Sequence, residues 1–68
     1  MLYQNRIREL REDKDLSQKE VAGVLGVAQT TYSQYELGKR PLPISCLITL
    51  CKFYHVSADY ILGISNEE

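Results

Sequence analysis

Two glycines, Gly26 and Gly38, cut the stretch from Leu16 to Arg40 (LSQKEVAGVLGVAQTTYSQYELGKR) into two helix-length pieces with no room for a third element between them. Glycine enters the left-handed conformation without a Cβ clash, so it stops helices where other residues would continue them. Ser17 and Glu20 form the S-x-x-E capping pattern that starts a helix. Val21, Val24 and Leu25 then recur at i, i+3 and i+4, an apolar stripe. Ala22 is small enough to let a second helix cross closely. Gly23 is a poor helix residue, which either permits close packing or is merely tolerated. The second piece runs from Ala28 to Leu37 and keeps Tyr32, Tyr35 and Glu36 on one face. Gln29, Thr30, Ser33 and Gln34 lie largely on other faces and serve no apolar purpose. A helix, a glycine turn and a second helix with uncharged polar groups outward form a unit that can be laid against base edges.

The flanking segments read as scaffold. Tyr3, Ile7 and Leu10 at i, i+4 and i+7 predict an amphipathic first helix ending near Lys14, with Arg6, Arg8, Glu9, Glu12 and Asp13 as its solvated face. Leu16 plugs the join to the next helix. Arg40-Pro41-Leu42-Pro43 is a rigid non-helical loop. Leu47, Leu50, Cys51 and Tyr54 predict a fourth helix. Ser57 caps a short fifth one, in which Tyr60, Ile61 and Leu62 close the core before Gly63. The expected helices lie near 3–14, 17–25, 28–37, 44–54 and 57–63, followed by an acidic tail at 64–68, in a single domain over 1–68.

Composition excludes several classes. No apolar run approaches the ~20 residues that cross a bilayer, and Met1-Leu2-Tyr3 is followed at once by Gln4-Asn5-Arg6, so no secretory signal is expected. Cys46 and Cys51 are five residues apart, about 140° round a helix, and do not readily pair. With His55 as the one histidine there is no metal-ligand set, and no cofactor or small-molecule ligand is implied. A reducing, cytoplasmic compartment is the expected location. No nucleophile–base pair or phosphate-cradling glycine loop suggests an enzyme. His55 reads as a surface residue, Cys51 as a small core residue, and the tyrosines as core packing rather than base stacking. Net charge is −1, but residues 1–54 carry all eight basic residues against six acidic ones, so the acidic end can face away from an anionic partner.

The ordered set of residues resembles the lambda-repressor-like, Cro/CI-type (XRE-like) helix-turn-helix family. The similarity rests on Leu16-Ser17-Gln18, Val21-Ala22, Leu25-Gly26-Val27, Tyr32-Ser33 and Tyr35-Glu36-Leu37-Gly38-Lys39-Arg40. A second block follows in Leu42-Pro43, Leu47, Leu50-Cys51 and Val56-Ser57-Ala58-Asp59-Tyr60-Ile61-Leu62-Gly63. The resemblance implies an all-α, five-helix domain whose third helix enters the major groove of double-stranded DNA. It implies base reading by Gln29, Thr30 and Gln34, and backbone contact by Ser17, Gln18, Ser33, Lys39 and Arg40. It further implies an ion pair between Arg11 and Glu36. Glutamine can bond bidentately to adenine, and a threonine methyl can touch the thymine methyl. Ala28 departs from the family, which often places Ser, Thr or Asp there, so the third helix is expected to start without a side-chain cap. The function implied is a sequence-specific transcriptional regulator, a repressor, acting as a homodimer on a pseudo-palindromic operator. Helix 5 and the Ile64 tail are the candidate dimer surface. The alternative is a protein-interaction module of the same fold, such as an antitoxin or a partner-sequestering regulator.

Overall fold

A computed structural model describes residues 3–67. Met1, Leu2 and Glu68, the last residue of the acidic tail, lie outside the described residues. The described chain forms five helices: α1 (Tyr3–Asp13), α2 (Gln18–Leu25), α3 (Gln29–Leu37), α4 (Ile44–Tyr54) and α5 (Ala58–Leu62). No strand occurs among the described residues. Ser17, Ala28 and Ser57 stand just outside their helices as N-caps.

Local chemistry sets the boundaries. At α2 the Ser17 Oγ accepts from the Glu20 N–H at 3.0 Å, and the Ser17 N–H donates to Glu20 Oε1 at 3.0 Å. This reciprocal pair satisfies donors that a helix start otherwise leaves bare. Gly26 adopts φ 71° and ends α2, and the Val27 N–H returns to the Ala22 carbonyl at 3.0 Å. Asp15 does the same job after α1 at φ 56°, a conformation aspartate tolerates better than most residues. His55, exposed as expected, closes α4 at φ 57°.

The core gathers Ile7 and Leu10 from α1, Val21 and Ala22 from α2, Tyr32 and Tyr35 from α3, Cys46, Leu50 and Tyr54 from α4, and Ile61 from α5. Tyr32 and Tyr35 meet edge to face, with ring centroids 6.4 Å apart. Helix α3 packs on both α1 and α2, while α5 closes the other side against α1 and α4. The α3–α4 loop is tied back to α1 by the Tyr3 hydroxyl, which accepts from the Leu42 N–H at 3.2 Å.

Four expectations are corrected. Val24 is 40% exposed. The buried face of α2 is set by Val21, Ala22 and half-buried Leu25, and Val24 sits roughly 100° round from its centre. Arg6 is not solvated but only 8% exposed, with its guanidinium 4.0 Å from the centre of the Tyr60 ring. Packing of α5 on α1 covers its stem, and the aromatic face takes the charge. Leu62 is 42% exposed, because a helix as short as α5 turns only Ile61 fully inward. On α4 the buried ridge is Cys46, Leu50 and Tyr54, at i, i+4 and i+8, which leaves Leu47 and Cys51 half-buried at its flank. Burial raises the pKa of the Cys51 thiol.

Gly23 resolves in favour of toleration. A Cβ built there meets nothing within 4 Å. Gly23→Ala is therefore expected to stabilise the fold by about 0.5–1 kcal/mol, read as a higher urea midpoint at unchanged m-value. A lower midpoint would mean that the position needs a bare backbone after all.

Candidate nucleic-acid interface

One carboxylate organises the back of the interface. Glu36, on the buried face of α3, receives hydrogen bonds from three directions. Arg11 on α1 donates from Nε to Oε2 at 2.7 Å and from its second guanidinium arm to Oε1 at 3.2 Å. Gln18, the first residue of α2, donates its side-chain amide to Oε1 at 3.1 Å. Tyr32, one turn back on α3, donates its hydroxyl to Oε2. The third nitrogen of Arg11 donates to the Leu16 carbonyl at 2.9 Å, tying in the α1–α2 turn. Three helices thus converge on one acidic group whose side chain is 3% exposed, and the turn is held through Arg11.

Burial works against charge on Glu36, but the bonds from Arg11, Tyr32 and Gln18 outweigh it and hold its carboxyl below the ordinary value of 4.5. The same pairing raises Arg11, chiefly through its hydrogen bond to Glu36. Burial, then the bond to Glu36, pushes the Tyr32 phenol up. Burial also pushes Tyr54 up to about 12. At neutral pH the cluster is an ionised Glu36–Arg11 pair with neutral Tyr32 and Gln18 as donors.

The front of α3 is different. Gln29 and Thr30 are exposed at its start, and Ser33 and Gln34 are half-buried further along. Ala28 offers no side-chain cap, so the first N–H groups of α3 are open to an external acceptor. Gly38, at φ 75°, stops the helix and turns Lys39 and Arg40, both exposed, alongside its last turn. Gly38 also lies close against α1, where a Cβ would come within 3.4 Å of the Gln4 side chain.

The site residues expected from sequence divide into three groups. Gln29, Thr30, Ser33 and Gln34 share the α3 surface, with Lys39 and Arg40 at its far end. Arg11 and Glu36 are joined behind it. Ser17 and Gln18 are partly engaged within the protein: the Ser17 Oγ caps α2, and the half-buried Gln18 amide donates to Glu36. Sequence reasoning missed Gln18 and Tyr32 as partners of Glu36. The i, i+4 spacing of Tyr32 and Glu36 was a usable signal, whereas the Gln18 contact spans two helices and had none. It also missed that Arg40 donates to Gln34, from Nε to Oε1 at 3.0 Å. Among the described residues there is no enclosed pocket and no group of three side chains able to hold a metal ion. Among the described residues no helix is long and apolar enough to cross a membrane.

The ionised cluster has a measurable signature. Because Glu36 is depressed in the folded state, its contribution is complete above its unfolded value of 4.5 and is lost as pH falls through the lower folded value. Glu36→Gln is expected to lower stability by about 2 kcal/mol at pH 7. The gap from the parent is expected to narrow on acidification below pH 4.5. Paired denaturation curves at pH 7 and at acid pH measure it; a gap independent of pH would contradict an ionised Glu36.

Comparison with known proteins gives a consistent picture. A family model described as helix-turn-helix matches residues 7–61. The HTH-type transcriptional regulator YobD of Bacillus subtilis (strain 168), itself uncharacterized, is 35% identical over 66 residues, covering 97% of this chain and 59% of that protein. The cryptic phage CTXphi transcriptional repressor RstR of Vibrio cholerae is 40% identical over 65 residues, covering 96% of this chain and 59% of the repressor. The chain therefore spans 59% of the length of each of these relatives. Among solved structures, the P22 c2 repressor in complex with a synthetic operator superposes with a TM-score of 0.82 at 29% identity, covering 91% of this chain and 94% of that one. Five helices in this order, with α2 and α3 joined at Gly26, agree with these matches. The chain belongs to the Cro/CI-type (XRE-like) helix-turn-helix family.

Proposed function

We propose that this chain is a sequence-specific, double-stranded-DNA-binding transcriptional regulator that acts as a repressor. The observation that carries this reading is the two-sided character of α3. Its back is fixed by the buried Glu36 cluster, and its front offers Gln29, Thr30 and Gln34 beside exposed Lys39 and Arg40. A helix held from behind and polar in front is suited to reading base edges, since amides and hydroxyls offer both donors and acceptors to them. The likeness to a repressor bound to its operator supports the same reading.

In the proposed complex α3 lies in the major groove. Gln29, Thr30 and Gln34 face the bases. The open N–H groups at the start of α3 and the N-terminal amides of α2 approach phosphate oxygens, where helix ends favour negative charge. Ser17, Ser33, Lys39 and Arg40 contact the sugar-phosphate backbone. Gln18 contributes through its backbone and through the amide atoms not given to Glu36. Few cations are available, so salt dependence is expected to be shallow. One module reads few base pairs, which favours a homodimer on a pseudo-palindrome with half-sites about 34 Å apart. Exposed Leu62 and Ile64 support the α5 end as the surface that joins the copies. A cytoplasmic location follows from this reading and accords with the free Cys46 and Cys51.

Fluorescence titration with mixed-sequence duplexes at several salt concentrations tests the proposal. Binding is expected to weaken with salt. Lys39→Ala is expected to weaken every duplex alike and to reduce the salt slope by about one. Gln34→Ala is expected to lose ~1–3 kcal/mol on the preferred duplex and little on others. Absence of salt-sensitive binding at micromolar protein would overturn the reading in favour of a protein partner.

A further inference from the structure

The cap of α3 does more than end the helix. With Gly38 in the left-handed conformation, the N–H groups of Lys39 and Arg40 both return to the Gln34 carbonyl, at 2.9 and 3.3 Å. The chain is thereby folded back over the last turn of α3. Arg40 reaches six residues back, and its Nε donates to Gln34 Oε1 at 3.0 Å. Residue 40 thus holds residue 34 by main chain and by side chain at once.

The chemistry of this contact settles the orientation of the amide. Arginine carries only donors, so the Gln34 atom that faces it must be the oxygen. The terminal torsion of glutamine is otherwise broad, and a free amide can present either end. Held by Arg40, Gln34 turns Nε2 and its two N–H donors away from the loop, and one lone pair remains on Oε1. That pattern matches adenine: Nε2 donates to N7, and the remaining lone pair accepts from the N6 amino group. Guanine can take the Nε2 donors at N7 or O6, but it has no major-groove donor for the remaining Oε1 lone pair, so it completes fewer bonds than adenine. Cytosine, whose amino group needs an acceptor presented alone, is disfavoured as well.

Resting on the DNA-reading role of α3, we infer that Arg40 is a positioning residue for base recognition: it presets the Gln34 amide for adenine, beyond any contact of its own with phosphate. The guanidinium N–H groups not given to Gln34 can still face the DNA backbone, so the two roles are compatible. Lys39 has the same charge in the same loop and no such bond, which makes it the natural control.

The test selects bound sequences from a random duplex pool with the parent, Lys39→Ala, Arg40→Ala, Gln34→Ala and the Gln34→Ala/Arg40→Ala double variant. Affinities are then measured for duplexes differing at the one position that Gln34→Ala relaxes. The parent is expected to prefer adenine there on the order of 5- to 150-fold. Lys39→Ala is expected to weaken all duplexes while keeping that ratio. Arg40→Ala is expected to weaken all duplexes and also to cut the ratio at that position by at least about threefold, with other positions unchanged. The double variant is expected to discriminate no less than Gln34→Ala alone. If Arg40→Ala keeps the adenine ratio, as Lys39→Ala does, the inference is wrong and Arg40 is a backbone contact only. A preference for guanine or a pyrimidine at that position would equally overturn it, as would a uniform loss of discrimination at every position. Failure of the parent to bind any duplex would instead remove the DNA-reading role on which the inference stands.

Discussion

The buried carboxylate of Glu36 is the point on which the arrangement of the first three helices turns. It is held by Arg11 from α1, Gln18 from α2 and Tyr32 from α3. A charge in the interior is expensive unless every lone pair is answered, and here the answers come from three separate elements. That requirement is geometric. A shift of α3 by one residue would remove Glu36 from Arg11 and Gln18 together, leaving a bare charge on each side. The cluster therefore specifies how α3 sits more than it adds net stability, since buried pairs and apolar replacements of similar volume often come out near parity.

Apolar packing and the polar cluster share the work along α3. Tyr32 does both: its ring is fully buried and meets Tyr35 edge to face, while its hydroxyl serves Glu36. With the back face committed in this way, the core does not draw on Gln29 or Thr30 at the start of the front. Both remain exposed, and the missing cap at Ala28 leaves open donors at the start of α3. The glycine stops complete the arrangement. Gly26 sets the turn that joins α2 to α3, and Gly38 turns Lys39 and Arg40 back along α3. The front of the helix is flanked by positive charge although the chain as a whole carries −1.

Features that depend on neighbours in the chain were legible in the sequence. The Ser17–Glu20 box, the stops at Gly26, Gly38 and Gly63, the cap at Ser57 and the uncapped Ala28 are one-turn phenomena, decided by residues that lie side by side. Periodicity also placed Tyr32, Tyr35 and Glu36 on one face, which the structure buries. It failed where a second helix decides burial. Arg6 reads as a solvated charge until α5 lays the Tyr60 ring on it. Val24 fits an apolar stripe until Ala22 draws the buried face of α2 toward itself. Cys46 rather than Cys51 is buried because the direction of the α4 ridge is set by what it packs against. At the site, residue types and spacing indicated which side chains gather on α3. They could not show that Gln18 turns inward to Glu36 or that Arg40 reaches Gln34, because both contacts depend on how separate segments meet.

The most direct measurement tests the proposed DNA complex by mapping which surface takes part in it. Backbone amide shifts of 15N-labelled protein can be followed while a selected duplex is added. The division of α3 into a fixed back and a proposed reading front implies that changes concentrate at Ser17–Lys19, Gln29–Gln34 and Lys39–Arg40. The exposed outer face of α4, at Ile44 and Ile48, would stay unchanged. Changes centred on α4, with Gln29 and Gln34 silent, would contradict the account.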